Sequence, residues 1–230
     1  MITVTRARVA PAPLVLASLA LAAAALRQVQ ARWGATDAEV TEALPGDDVL
    51  PSAGLSATRA VDIEAPPGSV WPWIAQLGQG RGGFYSYDVL ENLAGCDIYS
   101  ADKVVPEWQD VAAGDEIRLA PEVALSVADV SPPRHLVLHG GVAPGMPAPP
   151  YDFTWAFVLR PTSGGGTRLL VRERYGWQRP WVRPVVEVLQ AASFVMTERM
   201  LRGIRDRAER APGPTPTAGA ANLETVNPVA

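Results

Sequence analysis

The alternation of hydrophobic and polar residues in the middle of the chain predicts an antiparallel sheet framed by helices. Runs of period two begin near Thr58 and recur between Pro- or Gly-containing turns, and Ser163 to Gly166 is typical of a hairpin turn. Apolar residues at helical spacing lie before and after these runs. The predicted elements are strand Thr58–Glu64, helix Pro67–Leu77, short helix Tyr87–Leu93, strands Glu116–Ala120, Ala124–Val130, His135–His139, Phe153–Arg160 and Thr167–Tyr175, and a last helix from Pro184 to about Glu209.

The last predicted helix carries a continuous apolar stripe. Pro184 is tolerated in its first turn, and arginines crowd its C-terminal end, where cations suit the helix dipole. The stripe repeats at near-helical spacing, so we expect it to pack against the sheet. Its members are Val185, Leu189, Met196, Met200 and Ile204.

The N-terminal segment Val9–Leu26 has no charged side chain. As a helix it would be about 27 Å long, which is marginal but sufficient for the hydrocarbon core of a bilayer. We predict a single membrane anchor, whose side Arg6 and Arg8 do not decide because arginines also follow the segment. Two alternatives stay open. One is a signal peptide cleaved near Ala22–Ala25, which implies secretion. The other is a helix packed on a cytoplasmic domain.

These patterns divide the chain into four parts. Residues 1–32 form the hydrophobic segment and residues 33–57 form a polar linker. Within the linker, Thr36 and Glu39 predict a capped short helix that Pro45-Gly46 ends. Residues 58–210 form the main domain, and the tail 211–230 lacks large apolar residues and should be disordered.

Composition excludes several function classes. The net charge of −4 argues against nucleic-acid binding, which needs a basic face. Cys96 is the only cysteine, so neither an internal disulfide nor a cysteine-based zinc site is possible. The stretch Gly78–Gly83 lacks the Lys-Ser/Thr of a phosphate-binding loop and predicts a tight turn. We predict neither a metal nor a cofactor.

A specific stretch of sequence resembles a known superfamily. Ala65–Trp73 followed by Gln76-Leu77-Gly78 is similar to the entry into the first helix of the SRPBCC superfamily, which includes START lipid-transfer domains and polyketide cyclase/dehydrase-like proteins. Gly80–Asp88 and Pro106–Gln109 resemble an actinobacterial-type branch of it. The resemblance implies an α+β helix-grip fold, in which a curved antiparallel sheet wraps a long C-terminal helix.

The same resemblance implies a cavity between the sheet and the last helix. We therefore expect this protein to bind or transfer a hydrophobic small molecule, such as a lipid, an isoprenoid or a polyketide. One alternative is a cyclase- or dehydratase-like enzyme acting in the cavity, and another is an interaction module whose core is filled. The candidate lining residues are Phe153, Trp155, Phe157, Leu169, Val171, Leu189, Met196 and Met200.

A polar and aromatic cluster is a candidate for the cavity mouth, and its members are Arg81, Tyr85, Tyr87, Asp88, Glu91 and Asn92. In this interpretation Arg81 fixes a carboxylate or phosphate group, and Tyr85 and Tyr87 donate hydrogen bonds. The alternative is structural: Asp88 caps the second helix, and Arg81 pairs with an acidic neighbour, which is Glu91 or Asp102.

Glu173 is the first candidate for acid or base chemistry. If Leu169 and Val171 face the cavity, Glu173 faces it too, because side chains of a strand alternate. We favour instead an ion pair with one of three nearby arginines. They are Arg172, Arg174 and Arg179.

His139 and Tyr85 are the other candidates for acid or base chemistry. His135 and His139 are four residues apart on a predicted strand, so they share a face. Solvent exposure or a hydrogen bond explains both histidines more simply than catalysis or metal binding does. No hydrolase, metalloprotease or CxxC motif accompanies them.

Overall fold

A computed structural model describes residues 12–140 and 149–210. Its elements are, in chain order, α1 (Ala12–Ala31), α2 (Asp37–Thr41), β1 (Leu55–Ile63), α3 (Pro67–Ala75), α4 (Asp88–Leu93), a 3-10 turn (Pro106–Trp108), β2 (Glu116–Ala120), β3 (Val123–Ser131), β4 (His135–Gly140), β5 (Asp152–Pro161), β6 (Thr167–Gly176) and α5 (Val182–Arg210). Each strand and helix predicted above has a counterpart. The boundaries differ by a few residues, as at β1, which begins at Leu55.

The six strands form one antiparallel sheet with the order β1-β6-β5-β4-β3-β2. The first strand, β1, therefore pairs with the last, β6. Strands β2 to β5 are each paired with the next strand along the chain. The long helix α5 packs against β1 and α3. This arrangement confirms the predicted α+β helix-grip fold.

The alternation of the strands separates an inner face, toward α5, from an outer face. On the inner face Phe157 pairs with Val171 across β5 and β6, and both side chains are fully buried. Arg59 of β1 lies opposite Val171 and shares this face. The inner face is apolar along most of its width, so burying it against α3 and α5 supplies the main core.

The buried stripe of α5 differs from the predicted one in the first half of the helix. Val185 and Leu189 are 42% and 37% exposed. Val186 and Gln190 are buried in their place, followed by Thr197. The prediction followed hydrophobic residues alone, whereas this helix turns two polar side chains toward the core. From Met200 onward the predicted and observed stripes agree.

The predicted membrane attachment through the N-terminal segment is wrong. Within residues 12–140 and 149–210, no helix combines the length and the hydrophobicity needed to cross a bilayer. Polar residues enter the last turns of α1, where Arg27 forms an ion pair of 2.5 Å with Glu187 of α5. Gln30 of the same helix accepts a hydrogen bond from Arg59 through its carbonyl oxygen. The start of the predicted segment, Val9 to Pro11, lies outside the described residues.

Residues 34–54, called the strap here, lie against the outer face of the sheet. The strap contains α2, whose N-terminus has the capping box predicted at Thr36 and Glu39. Leu44 of the strap is buried in a small cluster with outer-face residues of the sheet. Gly46 packs so closely that a Cβ there would lie 2.6 Å from Val137 Cγ1. The domain boundaries remain predictions, and the predicted disordered tail lies outside the described residues.

Candidate functional site

A cavity of about 310 Å³ lies between the inner face of the sheet, α4 and α5. This volume is at the lower end of the range for small-molecule pockets, ~300–1,000 Å³. Most of the side chains around it are apolar or aromatic. The lining residues are Phe84, Ser86, Glu91, Cys96, Leu119, Val123, Gly140, Tyr151, Phe153, Trp155, Glu173, Tyr175, Leu189, Ser193, Met196, Thr197 and Met200.

Aromatic rings from β5 and β6 form the sheet side of the cavity. The ring centroids of Phe153 and Tyr175 are 4.8 Å apart, and Phe84 lies 6.0 Å from Trp155. The rings of Trp155 and Phe157 are in tilted contact along β5, with centroids 4.8 Å apart. Aromatic pairs at these distances stabilise one another, so the sheet side of the cavity is an aromatic wall.

The predicted lining residues fall into two groups. Phe153, Trp155, Leu189, Met196 and Met200 border the cavity. The other three are fully buried in the core and do not border the cavity. They are Phe157, Leu169 and Val171.

Glu173 is the polar centre of the cavity. Its side chain is 1% exposed and pairs with the fully buried Arg59, whose Nη1 lies 2.7 Å from Oε1. The hydroxyls of Ser193 and Thr197 on α5 also donate to Oε1, at 2.6 and 2.9 Å. The Tyr175 hydroxyl donates to Oε2 at 3.3 Å. Burial, and secondarily the charge of Glu173, raises the pKa of Tyr175.

The favoured alternative of an ion pair at Glu173 holds, but the partner is Arg59 and none of the three predicted arginines. Arg172 and Arg174 adjoin Glu173 in sequence, so they point to the opposite face of β6. Arg59 is 114 residues away in the chain and reaches Glu173 through the pairing of β1 with β6. The alternation of β1 already places Arg59 among core residues, which was the available signal.

A second polar group borders the cavity on the α4 side. Glu91 Oε1 accepts a hydrogen bond of 2.5 Å from the Ser86 hydroxyl. Burial is the main cause that raises the pKa of Glu91, and the charge of Asp88 adds to it. Cys96 lies near this group, and burial likewise raises the pKa of its thiol. Sequence reasoning included Glu91 in the cluster expected at the cavity mouth, but it did not assign Cys96 to the cavity.

Arg81, Tyr85 and Tyr87 do not border the cavity, so the structure contradicts their predicted place at its mouth. Arg81 donates to the backbone carbonyls of Ala75 and Trp108, at 2.9 and 2.7 Å, which fixes the glycine-rich turn. Both hydrogen bonds come from its Nη2, and its Nε is buried without a partner. Tyr87 lies at the start of α4 and is 40% exposed.

Tyr85 is a core residue. It is 1% exposed and donates a hydrogen bond of 3.0 Å to the carbonyl of Trp73, and burial raises the pKa of its phenol. Gly203 of α5 packs against it so tightly that a Cβ would lie 2.2 Å from the Tyr85 carbonyl oxygen. Its role here is to seat α5 on the loop before α4.

His139 lies on the outer face of the sheet. It pairs with Thr154, the neighbour of cavity-lining Trp155, so its side chain points away from the cavity. His135 shares that face, as predicted, and lies 2.8 Å from the carboxylate of Asp129. Among the described residues no cluster of His, Cys, Asp and Glu has the size of a metal site.

No family model matches this chain. No curated protein matches it either. Solved structures of similar shape include protein MLL2253 from Mesorhizobium loti (16% identity, 69% of this chain and 99% of that one, TM-score 0.43) and Ms6760 from Mycobacterium smegmatis (15%, 66% and 89%, 0.41). CalU16 from Micromonospora echinospora is another (18%, 67% and 83%, 0.32). With TM-scores below 0.5, these likenesses assign neither a family nor a function.

Proposed function

We propose that this protein binds a hydrophobic small molecule in the cavity between its sheet and α5. The observation that carries the proposal is the cavity itself, which has Phe153 and Trp155 on the sheet side and Leu189, Met196 and Met200 on the helix side. Aromatic and methionine side chains suit apolar ligands of variable shape. A core filled by its own side chains, the interaction-module alternative, would leave no such space.

The size of the cavity limits the ligand. About 310 Å³ accommodates a compact molecule or a single short chain. Isoprenoid-like and small polyketide-like molecules fit this description better than a lipid with two long chains. The SRPBCC resemblance of Ala65–Trp73 points to the same class of ligand, and we propose membership of that superfamily on those residues.

Cys96 allows binding to be measured without a mutation. It is the only cysteine of the chain and it borders the cavity. We expect a neutral apolar fluorophore such as N-phenyl-1-naphthylamine to bind the purified protein and to slow alkylation of Cys96. Native mass spectrometry of the same protein would detect a co-purified ligand.

A matched pair of variants on α5 tests the location. Met196→Trp would fill the cavity, whereas Val188→Trp adds the same ring at a position that is 71% exposed and away from the cavity. We expect Met196→Trp to weaken fluorophore binding at least about tenfold and Val188→Trp to leave it unchanged. The proposal is wrong if the wild-type protein binds no apolar probe and carries no ligand, or if the two variants bind alike.

A further inference from the structure

The charged side chains that border the cavity are all acidic. Glu173 lies on β6 and Glu91 on α4, and in the described part of the chain no Lys, Arg or His borders the cavity. Arg59 compensates the charge of Glu173 from within the core, and it does not reach the cavity surface. A ligand in the cavity therefore contacts carboxylates directly, while the cation that pairs with Glu173 lies behind the cavity surface.

The carboxylates of Glu173 and Glu91 have hydrogen-bonding capacity that the protein itself leaves unused. Glu173 Oε1 accepts from three donors, but Oε2 accepts only the long bond from Tyr175. A carboxylate oxygen can accept about two hydrogen bonds, so Oε2 has capacity left. Glu91 Oε2 is buried and has no hydrogen-bond partner.

Trp155 adds an unused donor to these unused acceptors. It is 9% exposed, its indole Nε1 has no hydrogen-bond partner, and it borders the cavity. Trp155 lies directly opposite Glu173 across β5 and β6, so their side chains are neighbours on the inner face. A hydroxyl bound between them would accept from the indole and donate to the carboxylate.

Building on the proposed function, we propose that this cavity selects ligands whose polar group donates a hydrogen bond, namely a hydroxyl or a protonated amine, and that it discriminates against carboxylates. A carboxylate ligand could accept from the Trp155 indole, but it would lose its hydration and meet the charge of Glu91, which no basic residue at the described cavity surface offsets. Arg81, which was predicted to bind an anionic group, does not border the cavity.

Three ligands of equal chain length test the proposal: decanol, decylamine and decanoate, each displacing N-phenyl-1-naphthylamine at pH 8. A purely apolar cavity would reject both ions alike, because desolvation penalises either charge. Acidic groups at the cavity surface would instead favour the cation over the anion. We expect decanol to bind, and decylamine to bind at least about tenfold more tightly than decanoate.

The Glu91→Gln substitution keeps the shape of the side chain and removes its charge. We expect it to reduce the preference for decylamine over decanoate by about threefold or more. Glu107→Gln, on the exposed 3-10 turn, is the matched control and should leave that preference unchanged.

Equal affinities for the two ions, or tighter binding of decanoate, would overturn the selectivity while leaving a ligand cavity in place. If neither the fluorophore nor decanol binds, the proposed function itself fails, and the selectivity with it.

Discussion

The two faces of β6 use charge in different ways. Toward α5 the strand presents Leu169, Val171 and one carboxylate, Glu173. Toward the strap it presents Arg168, Arg172 and Arg174. Each outer arginine bonds to carboxylates or backbone carbonyls of the strap. The outer face therefore holds a covering segment in place, whereas the inner face keeps space open beside a single polar centre.

Each face buries one guanidinium almost completely. Arg172 is 3% exposed and donates to Thr58, to the carbonyls of Glu39, Val40 and Glu42 and to Asp47, so most of its hydrogen-bonding capacity is used. Arg59 is fully buried but leaves Nη2 without a partner. Protein hydrogen bonds thus replace nearly all the water that Arg172 would bind when exposed, whereas Arg59 keeps one group without a partner. An unpaired buried donor costs free energy, so Arg59 is the less well satisfied of the two buried guanidinium groups.

The largest effect should come from the outer face. Arg172→Met removes the clamp and leaves several strap carbonyls and Asp47 without their donor, so we expect the free energy of unfolding to fall by about 3–5 kcal/mol in urea denaturation. Arg118→Met, at an exposed position in the middle of the edge strand β2, is the control and should change stability by no more than about 0.5 kcal/mol. A loss at Arg172 as small as the control's would mean that the strap is not held by this residue.

The ion pair of Arg59 with Glu173 should contribute less to stability than Arg172 does. A second substitution should restore part of the stability lost when Arg59 is replaced. Arg59→Met leaves the buried carboxylate of Glu173 without its cation and should cost about 2–4 kcal/mol. Adding Glu173→Gln removes that charge while keeping an acceptor for Ser193 and Thr197, so we expect the double variant to regain about 1–2 kcal/mol. Additive losses in the same denaturation series would contradict the pairing.

The smallest expected effect is on stability at acid pH, and it comes from Glu39 of the strap. The hydrogen bond from Arg168 is the main cause that lowers the pKa of Glu39 to about 2. A lowered folded-state pKa gives stability that is present above the ordinary value of 4.5 and is lost as the pH falls toward about 2. We expect this contribution to be about 1–3 kcal/mol and to disappear in Glu39→Gln.

The measurement is urea denaturation at several pH values between about 2 and 6. Asp48→Asn, an exposed carboxylate on the same strap, serves as the control and should keep the wild-type pH dependence. An unchanged slope in Glu39→Gln would show that the Arg168 contact does not stabilise the fold.

The fold could be predicted because its signals are local. The period-two pattern of Phe153–Arg160 and Thr167–Tyr175, with a glycine turn between them, fixes a hairpin and the face of each side chain. The candidate site was predictable only in part. Phe153, Trp155 and Met200 follow from face and spacing, but no local pattern indicates that Leu169 and Val171 are covered by other side chains.

The N-terminal error has a related cause. The hydrophobicity of Val9–Leu26 predicts that the segment leaves water, but it does not distinguish a bilayer from the surface of the folded protein. Alanine-rich segments are also only weakly apolar. The contacts of α1 with α5 and β1 are tertiary, and no property of the segment alone predicts them.

The sequence by itself determined the order of strands and helices, the inner position of Glu173 and the capped helix of the strap, because each depends on neighbours within a few residues. The tertiary structure decided which arginine meets Glu173, which side of α5 is buried in its first half, and what covers the outer face. These outcomes depend on partners more than a hundred residues apart, such as Arg59 with Glu173 and Arg172 with Asp47. Only strand register and packing bring such partners together.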